Sequence, residues 1–220
     1  MKKSSKALGN ATRQANKKLR RERIFDIAKR LIASKGLEDF TISELANEAG
    51  VTTPTIHNLF GKKNDIIKEL VSNLIKEVQG VTSAPPIDPI ENTAFFVNNV
   101  AAQFEQDIDF YRAAFMSADH LKLFDPRLPD GLFQQARQLA TPNKEWYERG
   151  LLLGNIKPHV IRDRVHNSNR LARIDWVNGY IDLNQYRRQV VRSILLVYAA
   201  DASRELKVRL VEEIHNLDSR

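Results

Sequence analysis

Apolar residues recur at helical spacing in two stretches of the first third of the chain. The first occupies residues 24–32 and is followed by Gly36, which predicts an amphipathic helix that ends at a glycine. The second occupies residues 66–78 and predicts a long helix that the side chain of Asn64 can cap. Between them lies the most informative segment, residues 41–63, with the sequence TISELANEAGVTTPTIHNLFGKK.

Residues 41–63 predict two short helices joined by a sharp turn. Thr41 can cap the first helix, with Glu44 completing a capping box. Gly50 stands at the end of that helix, where glycine adopts a left-handed conformation at little cost. Thr52 or Thr53 can then cap the second helix. Because a helix-turn-helix places its second helix in a DNA groove, and lysines directly follow, the segment predicts a DNA-binding unit.

The rest of the chain shows helical spacing and no strand alternation. Residues 81–89 contain three prolines and predict a linker. Beyond it we predict helices over about residues 90–106, 108–118, 129–153, 159–179, 183–199 and 202–216, the third of them interrupted at Pro142. The predicted fold class is all-α: an N-terminal three-helix helix-turn-helix domain that a long helix joins to a C-terminal helical domain.

Positive charge is concentrated at the N-terminus. Residues 1–23 hold nine basic residues and one acidic residue, a net charge of +8, whereas the whole 220-residue chain has a net charge of +7. Such a segment beside a helix-turn-helix can contact phosphates or enter the minor groove. Its polar composition is also typical of a solubilising tail. We therefore predict a basic, disordered arm over residues 1–18.

Composition narrows the functional class. The chain has no cysteine, which excludes disulfides and thiolate catalysis. No apolar run approaches the length of a membrane span and no signal-peptide pattern is present, so we expect a soluble cytoplasmic protein without a membrane partner. Glycine-rich phosphate loops and common hydrolase motifs are absent, and we predict neither enzymatic activity nor a cofactor.

A set of spaced residues within residues 20–70 resembles the signature of a known family. The set comprises Gly36, Thr41, Ile42, Leu45, Ala46, Ala49, Gly50, Val51, Thr52, Ile56, Phe60 and Lys63. It resembles the N-terminal signature of the TetR family of bacterial transcriptional regulators. The resemblance implies an all-helical homodimer that binds a palindromic DNA operator and usually represses transcription. We accordingly predict a DNA-binding domain over residues 19–65 and a ligand-binding and dimerisation domain over residues 66–220.

The motif also indicates which residues contact DNA. We expect base contacts through Thr53, Thr55 and Asn58, with Asn58 best suited to bidentate recognition of adenine. The expected phosphate contacts are Lys17, Lys18, Arg20, Arg21, Thr41, Thr52, His57 and Lys63. The family commonly has Tyr at the position of His57, and Tyr or His at that of Leu59. Leu59 departs from this pattern and is therefore not among the expected phosphate contacts.

The C-terminal part holds two candidate sites. Broad apolar stretches near the C-terminus predict a dimer interface through Val190, Val191, Ile194, Leu195, Tyr198 and Leu210. Packing within one chain is the alternative. In a family that senses small molecules, the aromatic residues after residue 90 predict an apolar pocket for an unknown, hydrophobic effector, and we expect Phe96, Phe104, Tyr111, Phe115, Trp146 and Trp176 to line it. Plain core packing is the alternative for each of them.

One further constellation suggests metal chemistry. His159, Asp163 and His166 recur at i, i+4 and i+7, but Arg162 and Arg164 beside them oppose a bound cation, so we predict no metal site. The predicted function is a repressor that a ligand releases by tilting the helix over residues 66–78. Two alternatives stay open: a ligand-independent, architectural DNA-binding protein, and a helical protein-interaction module.

Overall fold

The computed structural model describes residues 3–81, 85–129 and 131–218. The helices of these residues are α1 Lys3–Asp39, α2 Ile42–Glu48, α3 Thr53–Phe60, α4 Lys63–Val81, α5 Pro89–Gln106, α6 Ile108–His120, α7 Leu132–Leu139, α8 Lys144–Glu148, α9 Pro158–Val177, α10 Leu183–Ala199 and α11 Arg204–Asp218. No strand occurs in the described ranges, where Leu152 and Ala202 form an isolated antiparallel bridge. The all-α prediction is confirmed. None of the helices described has the length and apolarity needed to cross a membrane.

The helices group into two compact units. The first consists of Met1–Val71 and Asp109–Leu121, and the second consists of Ser72–Ile108 and Lys122–Arg220. This division differs from the predicted domains because α6 belongs with the helix-turn-helix helices. The ammonium group of Lys29 on α1, for example, lies 5.6 Å from the ring centroid of Phe110 on α6. Order along the chain carries no signal for such a long-range association.

The first helix begins much earlier than predicted. Residues from Lys3 onward belong to α1, so the prediction of a disordered arm over residues 1–18 is wrong from Lys3. Lysine and alanine make up eight of residues 1–18, and both are good helix formers. Gly36 interrupts the helical geometry with a φ of 74° and a ψ of 177°, as the predicted helix end requires.

The core of the first unit comes from the predicted apolar stripes. Ile24 and Ile32 of α1, Leu45 of α2, Ile56 of α3 and Ile67 of α4 are each at most 1% exposed. Four short or amphipathic helices thus share one core, and burial of their apolar faces is what holds them together, since a helix as short as α2 or α3 is marginal alone.

The turn into α4 is capped differently from the prediction. The helix begins at Lys63, one residue before the expected cap, Asn64. The carboxylate of Asp65 reaches back and accepts the backbone N–H of Lys62 at 2.7 Å. This bond satisfies an amide that has no partner within the helix.

The core of the second unit is rich in aromatic side chains. The rings of Phe104 on α5 and Trp176 on α9 are stacked, with centroids 4.8 Å apart. The indole N–H of Trp146 donates to the carbonyl of Ile87 at 2.6 Å. The predicted interruption at Pro142 is confirmed, because α7 and α8 lie on either side of it.

Candidate DNA-binding surface

The turn between α2 and α3 has the geometry of a helix-turn-helix. Gly50 follows α2 with a φ of 63°. Its backbone N–H donates to the carbonyl of Asn47 at 3.1 Å, and that of Val51 donates to Ala46 at 2.9 Å. These two bonds satisfy carbonyls at the end of α2, and the left-handed conformation explains the glycine. The chain re-enters a helix at Thr53.

Threonines stand at the start of both helices. The Thr41 hydroxyl accepts the backbone N–H of Glu44 at 3.2 Å, as predicted. The Glu44 carboxylate forms an ion pair with Lys35, and the hydrogen bond from Lys35 lowers the pKa of Glu44. Only one bond of the predicted capping box is therefore seen in α2. At the start of α3, the hydroxyls of Thr52 and Thr55 bond to each other at 2.9 Å.

The outward face of α3 carries the predicted base contacts. Ile56 and Phe60 are buried and hold α3 against the core of the first unit. Asn58 is exposed, whereas Thr53 and Thr55 are half-buried. An exposed carboxamide offers both a donor and an acceptor to a base edge. Of the three predicted residues, Asn58 is therefore the best placed to recognise a base.

Basic side chains of α1 lie beside this face. A groove of about 400 Å³ between α1 and α3 is lined by Asn16, Lys17, Arg20, Thr55, Asn58 and Leu59. A second groove, of about 520 Å³, runs along the turn and is lined by Arg20 and Arg23 on one side and by residues 49–52 on the other. Lys17 and Arg20 are exposed, as phosphate contacts must be. Arg20 lines both grooves. Asn16 and Arg23 also line these grooves and are not among the expected contacts.

The other predicted phosphate contacts lie on the same unit. Thr41 and Thr52 are exposed, and the Lys63 ammonium lies 5.7 Å from the ring centroid of Phe40. The His57 Nδ1 lies 2.9 Å from the carbonyl of Gly61. Because a carbonyl only accepts, this bond requires the tautomer in which Nδ1 carries the proton.

Arg21 has partners within the protein that the sequence did not predict. Its guanidinium donates to the carbonyl of Leu59 and to the carboxylate of Glu69, and it lies 4.3 Å from the ring centroid of Phe60. These groups engage part of the guanidinium, whose side chain is 33% exposed, and the phosphate contact stays a prediction. A signal was available: Arg21 precedes Phe25 by four residues and so lies on the buried face of α1.

Lys18 is exposed like the remaining predicted contacts of α1. Its ammonium forms an ion pair with Glu22 at 3.8 Å, and both side chains are more than half exposed. A surface pair of this kind contributes little to stability, so Lys18 can exchange it for a phosphate at little cost.

The six predicted dimer residues belong to the core of the protomer. Val190, Val191, Ile194, Leu195, Tyr198 and Leu210 are each at most 8% exposed. Their assignment to an interface is corrected to the alternative, packing within one chain. The apolar side chains that α10 and α11 leave exposed are others: Leu196 and Val208 are each 55% exposed, and Val211 is 40% exposed. Apolar spacing alone cannot separate the inner from the outer residues of a helix with two apolar faces.

A cavity of about 220 Å³ lies within the second unit. Phe96 and Trp146, two of the six predicted pocket residues, line it. The other four are buried in other surroundings: Phe104 and Trp176 stack on each other, and Tyr111 and Phe115 are buried side chains of α6. Helical spacing could not show which aromatic residues face a cavity.

The three candidate metal ligands lie in different surroundings. Both oxygens of Asp163 accept from the Arg137 guanidinium, at 2.6 and 2.7 Å, and this bonding lowers the pKa of Asp163 to about 2. His159 is exposed, while His166 is buried edge-on against the ring of Phe133. Among the residues described, no group of three or more His, Cys, Asp or Glu side chains is placed to hold a metal ion.

The described residues form an all-helical fold with this turn, with Asn58 exposed on α3 and with basic side chains lining both grooves. These are the features of a helix-turn-helix DNA-binding protein. A sequence model described as "Bacterial regulatory proteins, tetR family" matches residues 24–70. The HTH-type transcriptional regulator BetI of Brucella anthropi is 32% identical over 136 residues, which are 56% of this chain and 70% of that protein. BetI of Brucella canis is 32% identical over 136 residues, 69% of its length. The chain belongs to the TetR family and is a transcriptional regulator rather than an enzyme.

Solved structures agree on the fold. A putative TetR-family regulator from Mesorhizobium loti has a TM-score of 0.62 at 16% identity, covering 85% of this chain and 98% of its own. SmeT, the repressor of the Stenotrophomonas maltophilia multidrug efflux pump SmeDEF, has a TM-score of 0.62 at 15% identity, covering 84% of this chain and 92% of its own. At these identities the likeness concerns the fold alone.

Proposed function

We propose that this regulator is a repressor that binds a palindromic operator as a homodimer and leaves it when a small, uncharged ligand occupies the cavity of the second unit. The observation that carries the proposal is the exposed carboxamide of Asn58 on α3, flanked by the groove that contains Lys17 and Arg20. Because its target is DNA, we also expect the protein to act in the cytoplasm.

The DNA contacts divide into recognition and positioning. In the proposal, α3 enters the major groove and Asn58 recognises adenine, with Thr53 and Thr55 beside it. The phosphates are contacted by Lys17, Lys18, Arg20, Thr41, Thr52, His57 and Lys63. A protomer places one α3 in one groove, so a palindrome requires a second copy related by two-fold symmetry.

We propose that the second copy packs on α10 and α11. Leu196, Val208 and Val211 are exposed apolar side chains of these two helices. Because α10 and α11 pack on each other, these side chains can form one contiguous apolar patch, which is typical of association surfaces. Relatives of this fold usually act as dimers with small-molecule effectors, which supports the same assignment.

The cavity supports an uncharged ligand. The rings of Phe95, Phe96 and Trp146 line it together with the phenol of Tyr198, and none of the described residues that line it is charged. Burial raises the pKa of Tyr198, so the phenol is neutral at physiological pH. A charged ligand would lose its hydration here without gaining an opposite charge, which is costly. We propose that its binding changes the tilt of α4 and thereby the spacing of the two α3 helices of a dimer.

The first experiment is selection of duplexes from a random-sequence pool at near-physiological salt, with wild type and Asn58→Ala in parallel. The wild type should recover a palindrome. Asn58→Ala should bind it more weakly by about 1 to 3 kcal/mol and lose preference at one base pair of each half-site. Lys63→Ala should weaken binding to every duplex and reduce the salt dependence. Binding without enrichment would instead support an architectural DNA-binding protein, and no binding would support an interaction module.

The second experiment tests the dimer. Leu196→Glu should shift sedimentation from a dimer to a monomer, because it places a charge in the apolar contact. Tyr180→Glu is the matched control, since this side chain is 77% exposed and lies outside α10 and α11. Dimers that persist in Leu196→Glu and Val208→Glu would show that another surface associates.

The third experiment tests the ligand class. Trp146 lines the cavity and is one of two tryptophans, so Trp176→Phe leaves it as the sole indole fluorophore. Titration with benzyl alcohol should change its emission and release DNA, whereas benzoate and benzylammonium, of similar shape, should bind at least about tenfold more weakly. Ala140→Phe fills part of the cavity and should abolish the response. Equal or tighter binding of a charged analogue would contradict the proposed class.

A further inference from the structure

One guanidinium joins three helices of the first unit. Arg21 of α1 donates to the carbonyl of Leu59, near the end of α3, and to both carboxylate oxygens of Glu69 on α4. Its Cζ atom lies 4.3 Å from the ring centroid of Phe60, the last residue of α3. The side chains of Arg21 and Glu69 are 33% and 31% exposed. They are thus partly withdrawn from water, in contrast to the exposed Arg20.

These bonds suit arginine specifically. The Leu59 carbonyl is one of the last four of α3, which have no partner within the helix and carry the negative end of its dipole. A planar guanidinium can donate to this carbonyl and to a carboxylate at once while one face lies on an aromatic ring. The compact ammonium of lysine cannot make all these contacts together.

The contacts bear on the orientation of α3. Ile56 and Phe60 anchor the helix through apolar packing, which is non-directional. The bonds of Arg21 are directional, and they act on Leu59, the residue next to Asn58. A small rotation of α3 would displace the Asn58 carboxamide from the base edge it must meet in a bidentate geometry.

We propose that Arg21 is a positioning residue for sequence recognition, an inference that rests on the DNA-binding function proposed above, and that Glu69 on α4 helps it to fix the orientation of α3. Base preference then depends on a carboxylate that carries the same sign of charge as DNA. This dependence distinguishes a positioning role of Glu69 from a purely electrostatic one, because the two predict opposite effects of Glu69→Gln on DNA binding. Removal of a negative charge by Glu69→Gln strengthens DNA binding if charge alone matters, whereas positioning requires that it weaken binding to the preferred sequence.

The test uses the full-length protein and two duplexes: one recovered by the wild type from a random pool, and one with the same bases in scrambled order. Affinities are measured by fluorescence anisotropy over a series of salt concentrations. The variants are Arg21→Lys and Glu69→Gln. Their matched controls are Arg20→Ala, which removes an exposed charge of α1, and Glu22→Gln, which removes an exposed carboxylate of α1.

Arg21→Lys and Glu69→Gln should each lose about tenfold in affinity for the recovered duplex and less than about twofold for the scrambled one, with an unchanged salt slope. Arg20→Ala should weaken both duplexes alike and lower the salt slope by about one. Glu22→Gln should leave the ratio of affinities unchanged. The effects of Arg21→Lys and Glu69→Gln should not add in the double variant, because both remove one network.

Three results would overturn the proposal: near wild-type discrimination in Arg21→Lys, tighter binding of the recovered duplex by Glu69→Gln, or additive effects in the double variant. If the pool yields no enriched sequence, amide hydrogen exchange of the free protein decides. Exchange at residues 57–61 should then be faster in Arg21→Lys and Glu69→Gln than in the wild type and both controls. Unchanged exchange there would equally overturn it.

Discussion

Gly61 forms the turn between the recognition helix α3 and the long helix α4. Its backbone has a φ of 84° and a ψ of −138°, a conformation that residues with a Cβ atom rarely adopt. A Cβ atom at this position would lie 2.5 Å from Oδ2 of Asp65. The same oxygen accepts the N–H of Lys62 at 2.7 Å, so it cannot move away without loss of that bond. Gly61→Ala should therefore destabilise the protein in two ways.

The two costs have separate magnitudes. Forcing a residue with a Cβ atom into this backbone region, which is almost confined to glycine, costs about 1 to 3 kcal/mol. Loss of a capping bond at a helix start costs about 0.5 to 2 kcal/mol. Together they predict a loss of about 1.5 to 5 kcal/mol, which corresponds to a midpoint of thermal unfolding lowered by about 3 to 20 °C for a chain of this size.

The assay is thermal unfolding followed by circular dichroism, with two other glycines as matched controls. Gly50 has a φ of 63° but no neighbour within 4 Å of an added Cβ atom, so Gly50→Ala should show the backbone cost alone, about 1 kcal/mol. Gly80 lies within α4, also without a neighbour in that range, and Gly80→Ala should stabilise by about 0.4 to 1 kcal/mol.

A double-mutant cycle isolates the contact with Asp65. In an Asp65→Ala background the carboxylate is already gone, so the loss of stability caused by Gly61→Ala should fall to the backbone cost alone. The reasoning is refuted if Gly61→Ala is as stable as the wild type, or if Gly61→Ala causes the same loss of stability with and without the Asp65 carboxylate.

Two further predictions concern the second unit. Trp176→Ala should lower the free energy of unfolding by about 3 to 5 kcal/mol, because the side chain is 0% exposed and stacked on Phe104. Tyr180→Ala, at an exposed position, should change it little. Equal effects of the two variants in denaturant titration would contradict the packing described. Burial lowers the pKa of His166 from 6.5 to about 4. The contribution of the neutral ring to the free energy of unfolding is therefore complete above about pH 6.5. It is lost as the pH falls towards 4, by an amount on the order of 2 kcal/mol. Urea titrations across this window should show a smaller decline for His166→Phe than for the wild type, and parallel declines would rule out this source of pH dependence.

Predictions that rest on neighbouring residues were the reliable ones. The turn at Gly50, the start of α2 at Thr41 and the break at Pro142 depend on contacts within about four residues, and all three occur in the structure. The start of α1 was missed for the opposite reason. Polar composition favoured disorder over residues 1–18, while the helix propensity of the same residues favoured a helix.

Predictions that required knowledge of distant partners succeeded less often. Arg21 and Arg20 are adjacent basic residues, yet Arg21 bonds to Leu59 and Glu69 while Arg20 faces two open grooves. Likewise Val190 and Leu196 are both apolar residues of α10, yet the first is buried and the second is 55% exposed.

The sequence by itself determined the all-α class, the position of the helix-turn-helix and the family, because each is carried by residue spacing over short distances. The tertiary structure alone decided that α6 joins the first unit, that Arg21 bonds within the protein and that the predicted dimer residues form the protomer core. The physical reason is that burial and bonding partners depend on residues far apart in the chain, and spacing along one helix does not specify what packs against it.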